Sequence, residues 1–496
     1  MIDSLLGGLS TVLQPMNFLI LMSAVLIGFL GGALPGISGV IMVVILLPVT
    51  YGMDPTSAFM LLTAIYGATV FSGLITAILY RAPGTPEAVM TSFDGYPMTK
   101  KGEAGKALGI GVFSSVTGGV IGTVALIIFT PLLAAVALKF SSPEYFALAV
   151  LGLTVVASLG GKLLLGLIGA AIGLFIATIG IDPLTGTERF TLGSLNLAGG
   201  IRLIPVIVGL FAISEVLKRS ISSETHHKIE KVKMSIFDFG LLKKLRGTLS
   251  RSSILGVAIG ILPGIGASTA AMVSYSETVR WSKEPEKFGK GAPEGVAAPE
   301  AANNAAAMGA LVPLFALGIP GSGTTAIILG AFIMHGLQPG PTFIANNSEL
   351  IYAVFVALLF VNILILIFSK PFIALVSKLL NIPYASLAPI IIICCVVGTY
   401  SVRNSMFDVW LMLGFGVLGF LLEKIDFPLV AIILGLVLGP IAESEFRRSL
   451  EMSQGDFAVF LSRPISASLL SVALVLLVFS IVNPLLKKRK ANKALH

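Results

Sequence analysis

The sequence predicts an all-α integral membrane protein whose roughly twelve transmembrane segments form two inverted-topology repeats with broken or re-entrant helices. The first observation is composition: 55% of the 496 residues are hydrophobic and 12% are charged, whereas soluble domains carry about 25% charged residues. The second is a pair of proline-glycine motifs that occurs twice in the same order. The third is that corresponding loops of the two copies differ in charge.

Apolar runs recur from one end of the chain to the other, and most reach the roughly 20 residues that a helix needs to cross a bilayer. Their weak period-two alternation favours helices over a membrane β-barrel. The candidate spans lie near residues 16–34, 58–80, 107–130, 146–180 (long enough for two), 200–217, 254–275, 305–335, 350–378, 384–400, 405–422, 427–440 and 465–485.

Two copies of one motif pair divide the chain. In the first copy GALPGISG (32–39) precedes YRAPGTPEAV (80–89), and in the second copy GILPGIGAS (260–268) precedes LGIPGSGTTAI (317–327). A single Pro-Gly match would carry no information, but an ordered pair that occurs twice indicates an internal duplication.

A basic segment separates the two copies, because residues 218–251 contain nine Lys and Arg residues. Loops on the cytoplasmic side of a membrane are enriched in Lys and Arg. We therefore predict that 218–251 is a cytoplasmic linker between a first membrane repeat, 1–217, and a second membrane repeat, 252–496.

Corresponding loops of the two copies have opposite Lys and Arg content. Between its motifs the first copy has none at 51–59, whereas the second has four at 280–290. After its second motif the first copy has three Lys at 98–106, whereas the second has none at 335–349. By the positive-inside rule, such loops lie on opposite sides of the membrane, which predicts that the copies are inverted.

Proline and glycine within an apolar span predict a break in a membrane helix. Hydrocarbon tolerates non-helical backbone only where it is buried in protein or lines a wet cavity. A helix that restarts after the break directs free N–H groups and about half a positive charge toward the gap, where a carboxylate can bind. The predicted substrate-binding residues are Gly36, Ser38, Gly84, Thr85, Gly264, Gly266, Ser268, Gly321, Ser322 and Thr324.

Hydroxyl and amide oxygens near the breaks suit a coupling ion, Na+ or H+, and no other metal or cofactor is expected. The predicted ion-binding residues are Asn303, Asn304, Thr85, Ser322 and Thr324. The alternative is that the glycines allow close helix packing and the amides bridge helices. Arg81 and Glu87 bracket one Pro-Gly-Thr-Pro motif as interface or substrate-contacting residues, and Asp94 is assigned to a loop.

The motifs GGALPGISGV, YRAPGTPEAVMTSFDGYPMTKKGEAGKALG, ILPGIGAS and GIPGSGTTAIILGAFIMHGLQPGP resemble the large membrane subunit of the tripartite tricarboxylate transporter family (TctA-like) over about residues 16–440. The resemblance implies a multi-pass carrier in the bacterial inner membrane that imports carboxylates such as citrate by cation symport. It also implies two protein partners, a small membrane subunit (TctB-like) and a periplasmic substrate-binding protein (TctC-like).

Other functions fit the sequence less well. GIPGSGTT (318–325) has the outline of a phosphate loop but lacks its lysine and the preceding strand. None of the four His residues is placed beside a nucleophile, so an enzyme is not expected. The net charge of +8 lies mainly in the 218–251 segment and the C-terminal tail, which does not favour a nucleic acid partner. A secondary carrier or channel for another small anionic solute, such as an amino acid, remains the alternative.

Overall fold

The computed structural model describes residues 2–34, 38–158, 163–182, 185–221, 239–379 and 384–493, and these are mainly helical. In chain order the helices are α1 (Ile2–Val12), α2 (Pro15–Ala33), α3 (Gly39–Leu46), α4 (Pro55–Tyr80), α5 (Ser92–Lys100), α6 (Ala104–Ala137), α7 (Ser142–Ser158), α8 (Leu163–Ala177), α9 (Leu195–Ala198), α10 (Leu203–Ile207), α11 (Ser214–Ile221), α12 (Phe239–Ile261), α13 (Gly266–Trp281), α14 (Pro293–Gly309), α15 (Leu311–Leu317), α16 (Gly323–Met334), α17 (Pro341–Asn346), α18 (Ser348–Leu379), α19 (Tyr384–Arg403), α20 (Met406–Glu423), α21 (Leu429–Met452), α22 (Val459–Ser462) and α23 (Pro464–Lys493). Short 3-10 turns lie at Pro48–Gly52, Pro86–Ala88 and Pro285–Lys287, and a π-helical turn lies at Val208–Ile213.

Within the described residues, seven helices are long and apolar enough to cross a membrane, namely α2, α4, α6, α18, α20, α21 and α23. The protein is therefore an all-α, multi-pass membrane protein, as the sequence predicted. The predicted count of roughly twelve crossings is not confirmed, because several of the apolar runs form helices of only 10–17 residues. Among these shorter helices are the segment Gly39–Gly52, which begins with α3, and α16; each follows a proline-glycine motif of the sequence.

The chain forms two compact units, one containing residues 1–135 and 218–402 and the other containing 136–217 and 403–496. Each unit thus draws on both halves of the chain. The division into compact units does not show whether the two halves of the chain are repeats of each other. The predicted boundary at 218–251 therefore stays a prediction, and residues 222–238 of it lie outside the described residues.

Helix α4 is the buried central helix of the first unit, where every residue from 57 to 79 is buried. It begins at Asp54, whose carboxylate caps the first turn by accepting from the amides of Thr56 and Ser57. Helix α2 packs closely along it, because a Cβ on Gly32 would lie 2.2 Å from the Thr69 carbonyl oxygen. Contact of this kind between small residues is how membrane helices approach one another without a hydrophobic driving force.

Helices α12 and α14 in the second half of the chain pack in the same way. A Cβ on Gly256 would lie 2.3 Å from the Ala302 carbonyl oxygen, and one on Gly260 would lie 2.4 Å from that of Ala306. The order of elements is the same in each half: a long helix (α2 or α12), a break, a second helix (α3 or α13), a buried helix (α4 or α14) and then a second break. This order is compatible with the predicted repeat, and the inversion stays a prediction.

The Lys-rich loops contact each other at one end of the first unit, where Lys101 Nζ donates to the Lys290 carbonyl at 2.7 Å. The Lys-free segments also lie together, since the rings of Phe59 and His335 have centroids 5.6 Å apart. These are the pairs of loops that opposite orientation of the two copies would bring together. Which side of the membrane each pair faces stays a prediction.

Asp94 holds the Lys-rich end together, contrary to its assignment to a loop. It lies in α5 and is fully buried. Its Oδ1 accepts from the Gly291 and Ala292 amides at 2.8 and 2.7 Å, and its Oδ2 accepts from the Tyr275 hydroxyl at 2.8 Å. One carboxylate therefore joins α5 to α13 and to the start of α14.

We expect Asp94→Ala to lower the free energy of unfolding by about 3 kcal/mol or more, because it leaves buried donors without an acceptor. Thermal unfolding in detergent measures the change. Tyr275→Phe, which removes only one of the three bonds, serves as the control and should cost less. Equal melting temperatures for Asp94→Ala and wild type would contradict this role.

The second unit contains α7 and α8 packed on α21, together with α20 and α23. A Cβ on Gly173 would lie 2.0 Å from the Ile432 carbonyl oxygen, so α8 and α21 also approach through glycine. A two-stranded antiparallel hairpin, β1 (Gly180–Ile181) and β2 (Glu188–Arg189), pairs Gly180 with Arg189 and Ile181 with Glu188. Ion pairs join the hairpin to α21, with Arg189 to Glu443 at 2.7 Å and Arg447 to Asp182 at 2.8 Å.

Candidate functional site

Helices α3 and α16 of the first unit each start after a proline-glycine motif, and each start is capped by a predicted site residue. Ser38 is the N-cap of α3, and its Oγ accepts from the Ile41 amide at 3.4 Å. Ser322 is the N-cap of α16 and forms a capping box with Thr325. Gly36 lies outside the described residues.

These two helix starts meet beside the buried central helix α4. Helix α3 contacts α16, and a Cβ on Gly39 would lie 3.5 Å from the Tyr66 ring and 3.9 Å from Thr324 Oγ1. The Tyr66 hydroxyl, on α4, lies 3.4 Å from Ser322 Oγ. We call Ser38, Gly39, Tyr66, Ser322 and Thr324 the half-helix site.

The electrostatics of the half-helix site favour an anion. The first amides of any α-helix have no acceptor within the helix, and the helix dipole places about half a positive charge there. The two starts therefore bring two sets of amides to one place, with the hydroxyls of Tyr66, Ser322 and Thr324 beside them. This arrangement can bind a carboxylate without a buried Lys or Arg.

The glycines of the motifs bring backbone against backbone. A Cβ on Gly84 would lie 1.9 Å from the Gly32 carbonyl oxygen, and one on Gly321 would lie 2.7 Å from Ala310 Cα. The Gly264 amide donates to the Gly321 carbonyl at 2.9 Å, so the two motifs of the second copy are hydrogen-bonded to each other. For Gly84 and Gly321 these contacts favour the close-packing interpretation that the sequence left open beside substrate binding.

Gly264 and Gly266 have φ angles of 82° and 77°, a left-handed conformation that other residues rarely adopt. They reverse the chain between α12 and α13, where Ser268 is half-buried in the first turn of α13. Gly264, Gly266 and Ser268 make none of the described contacts that define the half-helix site. Their predicted role in substrate binding stays a prediction.

The five predicted ion-binding residues fall into two groups by their contacts. Ser322 and Thr324 belong to the half-helix site. Asn303 and Asn304 are buried on α14, where Asn304 Nδ2 donates to Asn303 Oδ1 at 2.7 Å and Asn303 Nδ2 donates to the Glu87 carbonyl at 3.3 Å. Thr85 is buried beside Glu87.

Sequence reasoning missed two residues that the structure places among these groups. Tyr66 lies in a continuous apolar run, so no sequence signal could distinguish it. Glu300 is fully buried on α14 and accepts from the hydroxyls of Thr91 and Ser115. An acidic residue within an Ala-rich span is a recognisable signal, because ionisable residues inside a membrane are costly and usually functional.

Discontinuous helices whose N-termini converge inside a multi-pass helical protein are typical of membrane transporters. The sequence model of the "Tripartite tricarboxylate transporter TctA family" matches residues 18–434. The chain belongs to this family, which is a family of transporters and not of enzymes.

Two relatives from Agrobacterium vitis are uncharacterized proteins. One, described as an uncharacterized 52.8 kDa protein in the TAR-I ttuC' 3' region, is 40% identical over 495 residues, which cover 99% of this chain and 98% of that protein. The other, in the TAR-II ttuC' 3' region, is 42% identical over 234 residues, which cover 47% of this chain and 97% of that protein. No solved structure matches this chain significantly.

Proposed function

We propose that this chain is the transmembrane subunit of a binding-protein-dependent secondary transporter that imports dicarboxylates or tricarboxylates, with citrate as one candidate, across the bacterial inner membrane by cation symport. The observation that carries the proposal is the convergence of two capped helix starts at Tyr66 in a member of a tricarboxylate transporter family. Converging helix N-termini stabilise a carboxylate by amide hydrogen bonds and dipole charge.

The predicted inverted repeat supports alternating access. Helix α3 starts after the first motif of the first copy and α16 after the second motif of the second copy, so each half contributes one helix start to the half-helix site. The loops also contact each other in the pairs expected for opposite orientation. Inverted repeats with broken helices place the substrate between two halves that rock against each other. The coupling ion is Na+ or H+.

The family assignment supports two partners, a small membrane subunit and a periplasmic substrate-binding protein. The segments 51–57 and 335–349, which we place on the periplasmic side by their lack of Lys and Arg, are candidate contacts for the loaded binding protein. Import at low substrate concentration would then depend on delivery by that protein.

Reconstitution in proteoliposomes tests the proposal. With the small subunit and the loaded binding protein, we expect uptake of a labelled carboxylate from a panel that includes citrate, driven by an inward Na+ or H+ gradient. The chain alone should show at least about tenfold less uptake at low substrate, within the range of typical coupling between sites. Empty liposomes and the binding protein without substrate are the controls.

Three outcomes would contradict parts of the proposal. Full-rate carboxylate uptake by the chain alone would exclude dependence on a binding protein. Uptake of amino acids and no carboxylate would favour the alternative substrate class. Flux that does not saturate with substrate and does not respond to either ion gradient would indicate a channel.

A further inference from the structure

An acidic pair, Glu87 and Glu300, lies in the first unit beyond the half-helix site. Glu87 is half-buried as a residue, and its carboxylate oxygen Oε2 is buried. Glu300 is fully buried on α14, and Glu87 follows the Pro-Gly-Thr break in the turn Pro86–Ala88. The two residues lie in the same region, because Asn303, one helical turn after Glu300, donates from its Nδ2 to the Glu87 carbonyl at 3.3 Å.

Both oxygens of Glu300 are held by hydroxyl donors. Thr91 Oγ1 donates to Oε1 at 2.5 Å, and Ser115 Oγ donates to Oε2 at 2.9 Å. Both hydroxyls are themselves buried. These bonds orient the carboxylate and leave lone pairs on its oxygens, but hydroxyls carry no charge that could neutralise it.

One carboxylate oxygen of Glu87, in the same region, lacks a hydrogen-bond partner in the described part of the chain. Its Oε2 is buried and has no hydrogen-bond donor among the described residues. The hydroxyl oxygen of Thr85, a side chain only 2% exposed, is likewise buried and unpaired next to Glu87. Asn303 lies between the two acidic residues, one helical turn after Glu300 and with its Nδ2 on the Glu87 carbonyl at 3.3 Å.

No Lys, Arg or His nitrogen of the described chain lies within ion-pair distance of either carboxylate. Burying an uncompensated carboxylate is very costly, so such a group is neutralised by a bound cation or a proton. The Glu87 carboxylate can take up a proton, and the unpaired oxygens of Glu87 and Thr85 are ligands of the type that coordinates Na+.

The acidic pair and the half-helix site adjoin the same helix, α4. Thr85 packs against Gly73, two turns along α4 from Tyr66, whose hydroxyl contacts Ser322 at the start of α16. A negative charge at Glu87 repels an anionic substrate at the half-helix site, whereas a cation bound at Glu87 removes that repulsion. The two ligands would therefore bind cooperatively, as symport requires.

We propose that Glu87 and Glu300, with oxygens of Thr85 and Asn303, form the binding site of the monovalent coupling cation, Na+ or H+. The inference rests on the proposed symport function and adds Glu87 and Glu300 to Thr85 and Asn303, which the sequence already assigned to the ion. It assigns ion binding to the acidic pair and substrate binding to Ser322 and Thr324.

The test uses Glu300→Gln and Glu87→Gln in the purified full chain, with Glu294→Gln, a carboxylate in the first turn of the same helix, as the matched control. The first readout needs no substrate: the melting temperature in detergent as a function of Na+ against K+, and as a function of pH. Wild type and Glu294→Gln should be stabilised by the cation that binds, because a ligand specific to the folded state raises its stability. The Gln variants should lose this dependence.

The second readout is gradient-driven uptake by the reconstituted complex. Each Gln variant should reduce cation-driven accumulation at least about tenfold relative to the control, within the range of site-to-site coupling. If Na+ is the ion, the Na+ response is lost; if H+ is the ion, the pH response is lost and Na+ has no effect in wild type. Either result supports the site and identifies the cation.

Gln variants that keep the wild-type Na+ and pH responses in both readouts would overturn the inference. If Glu300→Gln does not fold, Glu87→Gln and Thr85→Val decide the question by the same readouts. Absence of carboxylate uptake by the wild-type complex would instead refute the proposed function, and the substrate-free melting measurement would still report whether the acidic pair binds a cation.

Discussion

Replacing Gly84 by alanine should reduce carboxylate uptake at least about tenfold while the protein still inserts in the membrane. A Cβ at this position would lie 1.9 Å from the Gly32 carbonyl oxygen and 3.1 Å from Gly73 Cα, so the backbone at the break must move. The following residues Thr85 and Glu87 belong to the candidate ion site and would move with it. Uptake normalised to the amount of protein in the membrane measures the effect.

Gly414→Ala, on α20, is the matched control, because a Cβ on Gly414 meets no atom within 4 Å. Gly321→Ala tests the second copy, where the new Cβ would lie 2.7 Å from the Ala310 backbone. We expect the two break variants to be impaired and the control to match wild type. Equal uptake by all three variants would show that the breaks tolerate displacement and do not position the site.

Tyr66→Phe should raise the substrate KM about tenfold or more, because a hydrogen bond to a charged group contributes about 1.5–3 kcal/mol. The change removes only the hydroxyl that lies 3.4 Å from Ser322 Oγ and keeps the buried ring in place. Initial uptake rates against substrate concentration, measured in the reconstituted complex, give KM and the maximal rate separately.

Thr324→Val, which exchanges a hydroxyl for a methyl group of similar size, should act in the same direction from the start of α16. Tyr352→Phe, on α18 with its ring against Phe355, is the control and should leave KM unchanged. If Tyr66→Phe changed the cation dependence and left KM unaltered, the substrate would not bind at the half-helix site.

The sequence predicted the class, the breaks and the family because each depends on local pattern. Composition alone excludes a soluble protein, and a Pro-Gly pair in an apolar run favours a helix break. Helices α3 and α16 do begin at the predicted motifs, with Ser38 and Ser322 as their caps. The number of crossings was harder to predict, because hydropathy does not show whether a short apolar helix spans or re-enters.

The roles of single residues could not be predicted, because they depend on which distant segments contact each residue in the folded protein. Gly84 and Gly321 have the same sequence signature whether they line a site or pack backbones, and only the distances to Gly32 and Ala310 separate the two cases. The sequence predicts a loop at Asp94, yet the residue lies in α5 and its carboxylate accepts from three donors in distant segments.

By itself, the sequence determined that this chain is a multi-pass helical member of a carboxylate transporter family with helix breaks at fixed positions. Only the tertiary structure decided that the starts of α3 and α16 meet at Tyr66, and that the segments of Glu87 and Glu300, more than 200 residues apart in sequence, are joined through Asn303. The reason is physical. Helix formation, helix breaking and membrane insertion follow from neighbouring residues, whereas a charge is costly or functional according to which distant groups surround it.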